Sequence, residues 1–332
     1  MGFYRMDSSP HVTGISARLT FKVFSPSLFA LTGRTSRVIL LVGVLLNALS
    51  MCAFETRATR PKGKAADFSV RWQPTRLVNG SPVVFRVASP ERLKSLSGKW
   101  IEHEVFFSSD MQGKVWYGIA GASLETHPGN HLLELKGAAA SGKELSFNKQ
   151  VAVGKGKYHS IVVSVAKQYT EPSAEQLQKI DRDKALKEHA FARVTPEREW
   201  AGSFHAPAKA QISDVFGTSR TFNGRVQSVH QGLDYAVREG TPVAALNRGT
   251  VLLAQPLFFE GNCVVLDHGQ GLLSLYMHLS KVEVKEGERI TSGEEIGLSG
   301  GTGRATGPHL HVAVRWQGVY VNPAVLLSLK LP

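Results

Sequence analysis

The stretch His309-Leu310-His311-Val312-Ala313-Val314 alternates polar and aliphatic side chains, and this two-residue period constrains the chain more than any other feature. Successive side chains of a strand point to opposite faces, so Leu310, Val312 and Val314 form an anchoring apolar face while His309 and His311 share the other. The same period lets His230 and Asp234, four positions apart in His230-Gln231-Gly232-Leu233-Asp234, project from one side of an extended segment. Between the two stretches lies Tyr276-Met277-His278-Leu279. Strands arranged in this way can bring both polar pairs into one cleft.

Two imidazoles and one carboxylate match the three protein ligands of a catalytic zinc site, which keeps its fourth tetrahedral position for water. A His-x-His or a His-x-x-x-Asp is common by chance; the weight lies in their co-occurrence. Five of the twelve histidines fall between positions 230 and 311, among strands and glycine-rich turns. Together with Phe216-Gly217, Asp267-His268-Gly269, Tyr276 to Ser280 and the run from Gly300-Gly301-Thr302-Gly303 through Gly307-Pro308-His309, these stretches resemble the M23 family of zinc metallopeptidases, the lysostaphin and LytM type. The resemblance covers about residues 203 to 325.

It implies that His230, Asp234 and His311 hold Zn2+ and that His278 and His309 are catalytic histidines off the metal. The implied activity is a zinc-dependent endopeptidase cutting the peptide cross-links of bacterial peptidoglycan. Family members that have lost activity and activate amidases lack some of these five positions, and this chain departs at none. The alternative from another class is a catalytically silent envelope protein that binds peptidoglycan or activates an amidase; zinc content separates the two. Tyr276, placed by alternation on the same strand face as His278, is expected either to orient substrate or to be a packed aromatic. Arg220 and Arg304 are expected to meet substrate carboxylates, and His268, at a turn between strands, to be structural.

The fold class expected is mainly β. Residues 66–167 alternate short β-branched and aromatic runs with turns, as a β-sandwich of immunoglobulin-like type does. Residues 172–196 are charged and rich in helix formers, and Ser173 with Gln176 makes a capping box for a short connecting helix. Residues 203–327 form the duplicated all-β peptidase domain. Its internal repeat is Val237-Arg238-Glu239-Gly240-Thr241-Pro242-Val243 against Val284-Lys285-Glu286-Gly287-Glu288-Arg289-Ile290.

Residues 1–53 are a leader. The apolar run Val38 to Leu46 follows Arg34 and Arg37 and precedes the small residues Ala48 and Ser50, the layout of an export signal. Left uncleaved, residues 38–54 would serve as a membrane anchor, although a spanning helix needs about 20 apolar residues. The expected location is the cell envelope, periplasmic or secreted. Of the formal net charge of +12, +4 lies in residues 1–53, which leaves +8 on the remainder. Such a surface favours polyanions such as the cell envelope; with no nucleic-acid motif, nucleic acid is not an expected partner. Two cysteines, Cys52 and Cys263, exclude a disulfide framework.

Overall fold

The computed structural model describes residues 68–224 and 226–332. The leader, with its signal run at 38–46, the anchor segment 38–54 and Cys52, lies outside them. Among the described residues no helix is long and apolar enough to cross a membrane. The fold is mainly β, as the sequence predicts.

Seven strands come first: β1 (Ser69–Gln73), β2 (Pro82–Ala88), β3 (Leu93–Trp100), β4 (His103–Ser109), β5 (Val115–Gly121), β6 (Gly129–Ala139) and β7 (Glu144–Val153). They run in the order β1-β2-β5-β4-β3-β6-β7. β4 pairs its first half with β3 and its last three residues, Phe107 to Ser109, with β5. The sheet therefore folds over at β4 into β1-β2-β5-β4 facing β3-β6-β7, the strand order of an immunoglobulin sandwich. β6 and β7 alternate buried and exposed positions, so one face packs and the other is wet. Trp100 fills the interior, edge-on to Phe85 with ring centroids 5.4 Å apart.

β8 (Ser160–Val163) follows, then α1 (Ala174–Ala192). The capping box forms as expected: Gln176 N–H donates to Ser173 Oγ at 3.3 Å and Ser173 N–H to Gln176 Oε1 at 2.8 Å.

The second half contributes β9 (Ile212–Asp214), β10 (Ser219–Phe222), β11 (Val226–Val229), β12 (Gly232–Tyr235), β13 (Pro242–Ala244), β14 (Gly249–Leu257), β15 (Gly261–Asp267), β16 (Leu272–Leu279), β17 (Lys281–Val282), β18 (Arg289–Ile290), β19 (Glu295–Leu298), β20 (Leu310–Trp316), β21 (Val319–Val321) and α2 (Pro323–Ser328). The large sheet runs β18-β14-β15-β16-β20-β12-β9, with β21 also on β20, and small sheets join β13-β19-β17 and β11-β10-β8. β8 falls within the stretch whose pattern reads as sandwich, yet it pairs with β10, and in parallel. Strand pattern marks a segment as extended without naming its partner, which is why the sequence misplaces it.

Both faces of the large sheet are covered. Tyr276, Leu310, Val312 and Val314 enter one core; Leu275, Met277, Cys263 and Val265 enter another, on which Leu186 and Phe191 of α1 pack. Lys187 of α1 is ion-paired with the buried Glu260, and Asp183 Oδ2 accepts the Phe258 N–H at 2.6 Å. The repeat marks two equivalent turns, with Gly240 at φ 80° and Gly287 at φ 83°, left-handed conformations that favour glycine. The strands that follow, β13 and β18, enter different sheets.

The sandwich docks at the far end of β20. The His103 ring lies 5.2 Å from Trp316, and Asn322 N–H donates to Gly80 C=O at 2.7 Å. Trp316 is five residues from His311, or about 17 Å along the strand.

Candidate active site

Antiparallel pairing of β12 with β20 sets Asp234 directly opposite His311 on one face of the sheet. His230 joins them from the loop between β11 and β12, so the chain breaks between His230 and Asp234 instead of running as one extended segment. The two meet all the same: His230 Nε2 is 3.0 Å from Asp234 Oδ1 and 3.0 Å from His311 Nδ1, and His311 Nδ1 is 2.7 Å from Oδ1. All three residues are buried, with exposures of 3%, 6% and 8%. Gly232 makes room for them, since a methyl there would overlap the Val312 carbonyl oxygen and the His311 ring.

This donor set fits a cation. His230 Nδ1–H donates to Val215 C=O at 2.8 Å, so in the neutral ring Nε2 presents a lone pair to a carboxylate oxygen. Three electron-rich atoms thus converge with at most one proton, on His311, to share. Ligand atoms of a tetrahedral zinc lie about 3.4 Å apart, so the edges of the triangle need open by about 0.4 to 0.7 Å. Burial would raise the Asp234 carboxyl, but hydrogen bonds and charge from His230 and His311 outweigh it and hold the group well below the usual carboxylate range. Burial pushes the His311 imidazole down to about 4.

His278 and His309 face the same cleft with ring centroids 4.7 Å apart. His278 Nδ1–H donates to Thr302 C=O at 2.8 Å and His309 Nδ1–H to Gly307 C=O at 2.8 Å, which frees Nε2 of each. His309 Nε2 is 3.9 Å from Asp234 Oδ1. Burial, then the neighbouring His309 and His311, push His278 down to about 3, so its ring is neutral at physiological pH.

Two expectations fail at specific places. His278 has φ 62°, and the pairing of β15 with β16 shifts register beside it. This bulge turns His278 to the face of Met277, so Tyr276 and His278 do not share one. Tyr276 is wholly buried in the opposite core, its hydroxyl accepting the Leu246 N–H at 2.7 Å, and cannot touch substrate. Arg220 lines the cleft but its guanidinium is committed to Asp214 and Asp234. Arg304 does stand in the cleft, its guanidinium 4.6 Å from the Phe222 ring centroid and 4.7 Å from that of Phe259.

His268 is structural in geometry. It is fully buried, donates Nδ1–H to Arg248 C=O at 2.7 Å, and sets Nε2 2.7 Å from Ser274 Oγ, which lies 3.0 Å from the Tyr276 hydroxyl. Sequence reasoning missed Asp214, Gly232 and Thr302. Gly232 and Thr302 stood in local signals, the histidine–aspartate motif and the glycine-rich run, whereas Asp214 had none.

The family model for peptidase family M23 matches residues 228–323. A crystal structure from Pseudomonas aeruginosa, described as a peptidase M23, aligns with a TM-score of 0.58 and 30% identity, covering 76% of this chain and 95% of that one. The peptidoglycan DD-endopeptidase ShyA of Vibrio cholerae is 33% identical over 187 residues, 54% of this chain and 39% of its own length. The DD-carboxypeptidase/endopeptidase Mpg of Neisseria meningitidis is 43% identical over 122 residues, 37% of this chain and 27% of its own length. The chain thus spans well under half the length of these curated relatives. The β-rich fold brings together a buried His–Asp–His group that could hold a metal ion and, beside it, two further histidines. The chain belongs to peptidase family M23.

Proposed function

We propose that this protein is a zinc-dependent endopeptidase that hydrolyses the peptide cross-links of bacterial peptidoglycan, exported to the cell envelope by the signal in residues 38–46. The observation that carries the reading is the convergence of five side chains in one cleft: a buried donor triangle, and two histidines whose free Nε2 atoms face it. The relatives named as peptidoglycan endopeptidases support the substrate class, and a net charge of +8 beyond the leader suits a polyanionic wall. Within residues 66–167, β1 to β7 act as a spacer ahead of the helix at 172–196 and the catalytic domain at 203–327, while β8 pairs with β10 of that domain.

His230 Nε2, Asp234 Oδ1 and His311 Nδ1 are the metal ligands in this reading. Zinc held there supplies a Lewis acid that makes water nucleophilic near neutral pH and polarises a carbonyl. His278 and His309 move the protons. One Nε2 takes the proton of water as its oxygen adds to the scissile carbonyl carbon, and the other histidine, when it carries a proton on Nε2 as well, donates that N–H to the oxyanion. The C–N bond then breaks and the departing amine nitrogen receives the proton. Arg304, at the cleft wall, meets a substrate carboxylate.

The test uses purified full-length protein with zinc measured by elemental analysis. Release of soluble fragments from purified peptidoglycan, with one zinc per chain and little cleavage of oligoglycine, is expected. A chain that releases fragments equally well after complete zinc removal would sink the metal reading, and cleavage of oligoglycine in preference to peptidoglycan would sink the substrate assignment.

A further inference from the structure

The two oxygens of Asp234 keep different company. Oδ1 faces His230 and His311, at 3.0 and 2.7 Å. Oδ2 is the ion-pair partner of Arg220 Nη2. The same guanidinium grips Asp214 Oδ2 through Nε at 2.9 Å and Nη2 at 2.5 Å. Asp214 is itself fixed, because Oδ1 accepts the Val215 N–H and the Thr218 hydroxyl, each at 2.8 Å. The backbone of Arg220 is equally constrained: β10 is the middle strand of its sheet, with Arg220 opposite Ser228 on one side and Ile161 on the other.

We propose that Arg220 is a positioning residue that confines Asp234 to binding metal through Oδ1 alone, with Asp214 aiming the guanidinium. The inference rests on the reading of the triad as a metal site. A carboxylate beside a dication can bind through both oxygens, and zinc accepts a fifth donor. A charge-assisted N–H bond on Oδ2 competes with that second contact, and the planar fork of arginine spans two carboxylates as a lysine cannot. One-oxygen ligation preserves the open coordination position that a hydrolytic site needs. The guanidinium also offsets one of the two carboxylate charges nearest the metal, which keeps the metal more electrophilic.

The experiment compares the full-length wild type with Arg220→Gln and Arg220→Lys. Zinc affinity is read by chelator competition, and coordination number by the visible absorption of the Co2+-substituted protein, whose intensity falls as four-coordination becomes five. The expected result for Arg220→Gln is a kcat about 10- to 100-fold lower, little change in KM, zinc held at least as tightly, and a weakened Co2+ band. Arg220→Lys should fall between that variant and wild type. A Co2+ band and zinc affinity identical to wild type in both variants would overturn the proposal. So would zinc affinity lost in step with activity under an unchanged band, the signature of damage to β10. If Arg220→Gln does not fold, Asp214→Asn carries the test: a smaller shift in the same direction supports the proposal and an unchanged band overturns it. A wild-type chain that binds no zinc would instead overturn the metal reading, and this inference with it.

Discussion

The sandwich and the catalytic sheet are both antiparallel β structures of ordinary strand length, yet they bury different things. In the sandwich the buried polar residues are hydroxyls, Ser81, Ser89 and Thr126. In the catalytic half they include His230, Asp234, Glu260, Asp267, His268, His278 and His311. The cause lies in layering. β7 leaves one face to water, where charge is free of desolvation cost, whereas all eight positions of β16 are buried. A titratable group there must be paired, kept neutral or bound to a cation. Buried titratable groups therefore cluster in the half that holds the candidate site, some of them structural as His268 and Glu260 are, and the described residues of the sandwich bury none.

The most severe way to test this contrast is to remove a member of the triad. His230→Ala, Asp234→Ala or His311→Ala should each abolish tight zinc binding and hydrolysis, since two protein donors hold the ion poorly. Stoichiometric zinc in all three variants, by elemental analysis, would erase the distinction drawn here. His278→Ala and His309→Ala should keep zinc and lose about 10² to 10⁴ in kcat, the usual worth of acid–base assistance. Loss of metal from either would move that residue into the triad's role.

A matching perturbation in the scaffold should leave the chemistry alone. Trp100→Ala removes a wholly buried ring and should cost about 3–5 kcal/mol of stability in denaturant unfolding. Zinc affinity and kcat per folded molecule should be unchanged, and a parallel loss of either would tie the sandwich to the site. The smallest effect concerns His268, whose burial pushes its imidazole down from 6.5 to about 4. The unfolded chain binds this proton first, so the stabilisation is complete above pH 6.5 and is lost as pH falls toward about 4. It amounts to about 3 kcal/mol at the acid end. His268→Gln should flatten the melting temperature against pH across that window in the zinc-loaded protein, and an unaltered slope would contradict the assignment.

The triad and the histidine pair were legible because their residue types suit a metal and the motifs around them resemble a known family; alternation holds for His309 and His311 but not across His230 to Asp234, where the chain breaks. Tyr276 was misread for the same reason: alternation holds until a bulge interrupts it, and the bulge at His278 carries no glycine to announce it. Asp214 was invisible, since its significance lies in a guanidinium that comes from the separate β11-β10-β8 sheet to meet both it and Asp234. The capping box at Ser173 was readable because both halves sit within four residues. β8 fell inside the stretch 66–167 read as sandwich, because a strand's partner is settled by tertiary packing and leaves no local mark.

That parallel strand changes what counts as a transferable piece of this chain. A fusion carrying residues 203–327 alone would bring the ligands and both histidines but strip one edge of β10, leaving backbone donors and acceptors beside Arg220 open to water or to a foreign strand. A fragment meant to keep the candidate site supported should therefore begin near residue 160, ahead of α1, so that β8 and the helix travel with it.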